Sequence, residues 1–355
     1  MGFCSDLANT GRRMPDYRLT VDGENVTEPL SNRLMSLTLS DNKGFESDVL
    51  TMTFDDADGQ VILPSRGVKI RLAIGWKGEP LYVKGSFIIN KVEHTGAPDR
   101  ITVSASSADV CKTLNTRQNR SWHQTTVGAV VEKIASDNNL SAELGKGTAD
   151  KPVEHLDQTN ESDASFLMRL ARMYGATASM KDGHLLFFLM GQGTTASGIP
   201  LPLITLNRKE GDSHRFALDD VNTYSGVQAH WLDTQEPEKE STTKADRQQK
   251  SGGNAWLEGQ DGNVLVLNRT YASRSEAQRA AKVQLARLRR GTVTFRLTLA
   301  EGRADLFTEM PVKVVGFKQP IDDANWTISN LQHALSPTTG FTTVISLEVK
   351  IDDPL

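Results

Sequence analysis

Side chains able to do acid–base chemistry gather at three places in this chain. Glu161 and Asp163 flank Ser162 in the run ESDASFLMRLARMYG, Asp219 adjoins Asp220, and Asp322 adjoins Asp323. Glycoside hydrolysis needs two carboxyls at a set separation across the bond. None of these acids forms a recognisable acid/base pair with a pocket signature, and their separation in space stays open at this level. A metal site needs three or four converging ligands. His94 and His333 occupy matching places at strand ends, but the 7 histidines are scattered and HExxH, CxxC and His-x-His do not occur. DDADG at 55–59 resembles part of a calcium loop without its first ligand or distal Glu, so it reads as a turn. No P-loop, G-x-S-x-G or G-x-G-x-x-G is found. The expectation is that none of these residues is catalytic, cofactor-binding or metal-binding.

The elements around these residues explain them without chemistry. Ser162 suits a helix N-cap, and Glu161 and Asp163 suit the positive N-terminal end of that helix. Phe166, Leu167, Leu170, Ala171 and Tyr174 form one apolar stripe, and Gly175 stops the helix. A second helix starts at Thr125 or Thr126 and lines up Val127, Val130, Val131 and Ile134. The longest helix spans 273–290. It opens on a Ser273–Glu276 capping box, runs an apolar side through Ala277, Ala281, Leu285 and Leu288, and stops at Gly291. It is basic: Arg274, Arg279, Lys282, Arg287, Arg289 and Arg290 outnumber Glu276. A nucleic-acid face is one reading. A solvated or oligomer-facing helix, with cations complementing its C-terminal dipole, is favoured by the net negative chain.

Strands dominate the rest. DYRLTVDG, RLMSLTLSDN, DVLTMTFDDADG, VKIRLAIGW, LYVKGSFIINKVEH and RITVSASS alternate or run apolar, punctuated by Asp22-Gly23, Asp58-Gly59 and Lys77-Gly78. Short strands at this spacing argue for an antiparallel barrel or sandwich. Strands return after Pro202 and continue to the alternating FTTVISLEVKI. GQGTTASG reads as a flexible linker, and 233–262 is polar enough to be read as a mobile loop. Two segments echo each other. Residues 67–105 and 311–349 each run V-K-[IV], then Gly-aromatic (Gly75-Trp76, Gly316-Phe317), then an aromatic-led strand ending in Glu93-His94 or Gln332-His333. The fold class expected is β-rich α+β: two similar antiparallel β-domains, barrel or sandwich, at 1–110 and 201–355, around a middle α+β domain at 111–200. Such a chain builds a ring with twice the symmetry of its oligomer.

Composition fits. The chain has 355 residues, 38% hydrophobic and 24% charged, and a net charge of −4, which gives no support for bulk nucleic-acid binding. Cys4 and Cys111 are expected to be free thiols, as in a reducing cytoplasm. The N-terminal MGFCSDLANTGRR has no apolar stretch of a signal peptide, and Asp6 stands where myristoylation wants Ser or Thr. No run is long enough for a transmembrane helix.

QTNESDASFLMRLARMYGATASMKDGHLLFF resembles a signature of contractile-tail hub proteins, in which Gln, "ESD", a FL-x-RLA helix, Gly and a "DG-x-L-x-F" strand follow in order. These hubs include the late control gene D family of P2-like phages and the hub half of type VI secretion spike proteins. IGWKG, VEHTGAPD, SWHQTTVGAVVEKIA, RTYASRSEAQRAA, GRADLFTEMPVKVVGFK and WTISN extend the resemblance over nearly the whole chain, and the polar segment at 233–262 departs from it. The resemblance implies a structural virion tail baseplate protein, not an enzyme, made in the bacterial host cytoplasm. It implies a homotrimer whose two barrels per chain form a pseudo-six-fold ring joining the six-fold tail tube to the trimeric spike. Its partners would be itself, the tube protein, the spike and other baseplate proteins, with no sequence-specific nucleic acid and no membrane insertion. The alternatives are a tail-associated cell-wall hydrolase, for which no module-sized insertion exists, and a DNA-binding late-gene regulator resting on the 273–290 helix alone.

Overall fold

The structure is a computed structural model that describes residues 13–107, 112–181, 183–189, 201–218, 224–231, 254–260, 262–271, 273–291 and 293–349. The first part contains β1 (Pro15–Val21), β2 (Glu24–Asn25), α1 (Thr27–Ser31), β3 (Leu34–Asn42), β4 (Val49–Asp55), β5 (Lys69–Trp76), β6 (Tyr82–Thr95) and β7 (Arg100–Ser107). All six strands read from the sequence are present. The turns use the residues expected of them: Asp22 and Gly23 hold φ of 46° and 96°, and Gly78 holds 88°, a region that favours glycine. DDADG is a turn in which Arg33 donates to both Asp58 oxygens at 2.6 Å. That guanidinium lowers the Asp58 carboxyl to about 2.

The middle part contains β8 (Arg117–Thr126), α2 (Val127–Asp137), β9 (Ser141–Leu144), β10 (Pro152–Ser162), α3 (Asp163–Tyr174), β11 (Ala176–Lys181) and β12 (His184–Leu189). Thr126 caps α2 by accepting from the Ala129 N–H at 3.2 Å. Ser162 caps α3 by accepting from the Ser165 N–H at 3.2 Å, and Gly175 ends it at φ 68°. Both stripes face one core. Val127, Val130, Val131, Ile134, Phe166, Leu167 and Phe187 are all fully buried, each contributing on the order of 1.5–3 kcal/mol. β8 and β10 pair as a two-stranded ribbon. The linker residues GQGTTASG lie outside the described residues, as do Cys4, Cys111, Asp219 and Asp220.

The last part contains β13 (Ile204–Asn207), β14 (Gly211–Leu218), β15 (Gly226–Trp231), β16 (Asn254–Gly259), β17 (Val264–Tyr271), α4 (Arg274–Gly291), β18 (Val293–Leu299), β19 (Pro311–Val315), α5 (Gln319–Asp323), β20 (Trp326–Ser336) and β21 (Gly340–Val349). In β21 every second residue, from Phe341 to Val349, is buried, the period-2 pattern of a strand with one face on a core. α4 packs Ala277, Ala281 and Leu285 against the sheet of β15, β16 and β17. The expectation of a mobile loop over 233–262 fails at its end. Asn254–Gly259 is β16, paired antiparallel with β15, and within it Trp256 Nε1 donates to Glu258 at 3.0 Å; residues 232–253 lie outside the described residues.

The two echoing segments are equivalent in topology. The first part orders its strands β1-β5-β6-β7-β4-β3, and the last part orders its own β13-β19-β20-β21-β18-β14. Numbered along the chain, both six-strand units run 1-4-5-6-3-2. The equivalence reaches the irregularities. β6 on β7 skips a residue between Ile89 and Lys91, and β20 on β21 skips one between Ile328 and Asn330. β3 on β4 skips between Leu34 and Ser36, and β14 on β18 between Gly211 and Ser213. Bulges at matched positions are built features of a strand pair. The units differ in their first strand: β1 runs antiparallel to β5, and β13 parallel to β19. Parallel pairs also join β15 to β17 and β9 to β12.

Closed barrels do not form among the described residues. Neither unit's first and last strands pair. The edge of β3 that would close the first unit instead pairs with β20 of the second, Leu37–Asn42 against Asn330–Leu335. The result is one continuous 13-stranded sheet.

Candidate functional site, an assembly interface

Three of the acids that suggested chemistry, Asp163, Glu161 and Asp322, are structural ties. Asp163 is 2% exposed and accepts from Arg120 Nη2 at 2.6 Å, Gln158 Nε2 at 2.8 Å and Asn138 Nδ2 at 3.0 Å. Glu161 accepts from Arg169 Nη2 at 2.7 Å and Nε at 3.1 Å. Asp322 accepts from the N–H groups of Gly316 and Phe317, at 3.1 and 3.0 Å, holding the turn after β19. Beside it, the Asp323 carbonyl accepts from Lys313 Nζ at 3.2 Å. Among the described residues no three His, Cys, Asp or Glu side chains are placed to hold a metal. The sequence did not mark Arg120, Gln158 and Asn138 as one network with Asp163. They come from three elements that only the fold brings together.

The basic helix is partly occupied by its own protein. Arg279 stacks over Tyr174 of α3 with its guanidinium 4.6 Å from the ring, and Arg274 lies 5.2 Å over Trp256. Lys282 is exposed. The side chains of Arg287, Arg289 and Arg290 lie outside the described residues. Ser273 accepts from the Glu276 N–H at 3.3 Å, one arm of the capping box.

The contacts that unite the chain lie where the two units meet. β3 and β20 share a backbone ladder. Asn330 Nδ2 donates to Asn42 Oδ1 at 2.6 Å and to the Asp41 carbonyl at 3.2 Å, and Lys43 pairs with Glu348 at 2.5 Å. Trp76 Nε1 donates to the Gly302 carbonyl at 3.0 Å, and Lys84 Nζ to the Leu306 carbonyl at 2.8 Å. The Trp76 and Phe341 rings stand 5.2 Å apart. Gly302 is required there, because a Cβ would sit 2.4 Å from the Phe341 ring. Ala304, Leu335 and Phe341 thereby complete the core of the first unit.

His333 lies at the centre of this junction, fully buried, with Nδ1 2.9 Å from Thr343 Oγ1. His94 holds the matching register position in the first unit, but its side chain is 45% exposed and 3.5 Å from Asp56. Burial, and then the charge of Lys84, push the His333 imidazole well below its ordinary 6.5. Above that value the residue is neutral folded or unfolded. Below it the unfolded chain binds a proton that the native chain refuses, so stability falls as pH falls, by at most ~1.4 kcal/mol per unit. Denaturant unfolding at pH 7.5 and 5.5 should show this loss, and His333→Gln should reduce the difference between the two pH values.

The fold that carries these ties and the β3–β20 joint is that of phage tail proteins. The 43 kDa tail protein of prophage MuSo2 from Shewanella oneidensis superposes with a TM-score of 0.69 at 13% identity, over 94% of this chain and 98% of that one. The tail protein from Neisseria meningitidis MC58 gives 0.68 at 14%, over 96% and 99%. The E. coli c3393 protein, a component of the type VI secretion system, gives 0.55 at 13%, over 93% and 76%. In sequence the chain is 44% identical to the probable baseplate hub protein of Escherichia phage P2, over 96% of this chain and 94% of that protein, and 43% identical to that of phage 186 over the same shares. Residues 41–338 match the phage tail baseplate hub (GPD) family, and the chain belongs to it. It is a component of the phage tail baseplate, structural rather than enzymatic.

Proposed function

We propose that the chain is a homotrimeric hub whose six β-units, two from each copy, form a pseudo-six-fold ring between the six-fold tail tube and the three-fold spike. One observation carries this reading: the two units share strand order and bulge positions. Two equivalent units per chain let three chains offer six equivalent positions to a tube while keeping three-fold symmetry towards a spike. We divide the chain accordingly into 1–110, 111–200 and 201–355, the outer two parts being tube-like. Its partners are other copies of itself, the tube protein, the spike and neighbouring baseplate proteins. Nothing observed favours the hydrolase reading, because Glu161 and Asp163 face donors of their own fold. The regulator reading loses Arg274 and Arg279 to aromatic stacking.

Light scattering of the full chain should give three times its 38.9 kDa mass. A stable dimer, or a chain that stays single both alone and with its spike protein, overturns the reading.

A further inference from the structure

The junction inside the chain is a template for a junction between chains. β3 is the second strand of the first unit, and it pairs with the fifth strand of the other unit, β20. β14 is the second strand of its own unit, and among the described residues its outer edge has no partner strand. The strand equivalent to β20 is β6. Only its first half, Tyr82–Ile88, pairs with β5, which leaves the matching edge of Lys91–Thr95 open among the described residues.

We propose that β14 of one copy pairs antiparallel with Lys91–Thr95 in β6 of a second copy, in the register that β3 and β20 use within the chain. The matched bulges carry the register across. Ser213 to Leu218 stand where Ser36 to Asp41 stand, and Lys91 to Thr95 stand where Asn330 to Ala334 stand. Val92 then faces Leu218, Glu93 faces Ala217, His94 faces Phe216 and Thr95 faces Arg215.

Exposure agrees on both sides. Leu331 and His333 are fully buried, whereas Val92 is part-exposed and His94 is exposed at the same positions. Leu39 and Asp41 are buried, whereas Phe216 is part-exposed and Leu218 is 58% exposed. Charge agrees as well. Glu93 and Arg215 would lie on the same face, diagonal to one another, within reach of long side chains. An open edge that carries Leu218 and no proline is a pairing site unless something covers it. Each copy gives one edge and receives another, so the contact is heterologous and closes only as a ring. The proposal rests on the trimer reading for the number of copies, not for the contact itself.

The test uses the full chain with Cys4→Ser and Cys111→Ser. Directly opposite residues of antiparallel strands have Cα atoms about 4.5–5.5 Å apart, within disulfide range. Under mild oxidation, Glu93→Cys with Ala217→Cys should link chains into a ladder ending in a closed three-chain species, and reductant should collapse it. Glu93→Cys with Phe216→Cys, slipped by one residue onto opposite faces, should not link. The reduced double variant should melt with the parent, since both sites lie on the surface of the single chain. If the paired variant links no faster than the slipped one, this contact is wrong, and light scattering then reports separately whether a trimer exists. Rapid linking into open ladders with no closed species keeps the contact and overturns the trimer.

Discussion

Replacing Asp163 by Ala is expected to cost about 3–5 kcal/mol of folding stability, because it removes one partner of a buried ion pair and leaves donors behind. Arg120, Gln158 and Asn138 all donate to this carboxylate, and Asn138 and Gln158 are themselves buried. Each donor retains one other acceptor: Asp137 for Arg120, the Glu161 carbonyl for Gln158 and the Ile134 carbonyl for Asn138. Arg120 also keeps some solvent, so the lower end of the range is expected. The competing account treats Asp163 only as an anion at a helix N-terminus, worth about 0.3–1 kcal/mol. Denaturant unfolding separates the two. Ser162→Ala supplies the scale of a lost cap, ~1 kcal/mol. If Asp163→Ala costs no more than Ser162→Ala, the buried network is energetically idle. Asp163→Asn should fall between them, since it keeps one acceptor oxygen and loses the charge.

That contrast marks how far sequence could be read. The position of α3 was legible because its cap, stripe and Gly175 stop are local signals, each within a turn of what it acts on. The partners of Asp163 were not, because Arg120 lies on β8 and Asn138 follows α2, and nothing local joins them. The same division holds for the strands. β21 announces itself by alternation, one face being on a core. β8 and β10 form a ribbon exposed along much of both faces, so no apolar period marks them. β16 was read as loop because NAWLEG is short and sits near the end of a polar run, and its strand form depends on β15. The repeat was visible through V-K-[IV], Gly-aromatic and the histidines, and strand order makes it an equivalence. The expected barrels do not close among the described residues. A strand's pattern records which face is buried, whereas a barrel depends on which edge meets which, and the edge of β3 meets β20.

The second large effect is expected at that meeting. Phe341→Ala should cost about 3–5 kcal/mol, the range for emptying a buried aromatic site. The ring is 1% exposed, packs beside Trp76 and His333, and sits directly over Gly302. The cavity cannot collapse easily, because Trp76 is held by its bond to the Gly302 carbonyl and β20 and β21 are held by their own ladder. Phe187→Ala is the matched control: it is equally buried but lies in the middle core. Both variants should lose similar stability, and they should differ in where the native chain opens. Amide exchange of Leu37–Asn42 in β3 should quicken in Phe341→Ala and stay near the parent rate in Phe187→Ala, because local opening follows local contacts. Equal protection of β3 in the two variants would show that the ladder alone holds the units together. If Phe341 is the anchor, the loosened variant should also misplace β6 relative to β14. Linking through Glu93→Cys and Ala217→Cys should then slow in that background, although neither residue touches the ring, which ties the stability of the inner joint to the geometry of the outer one.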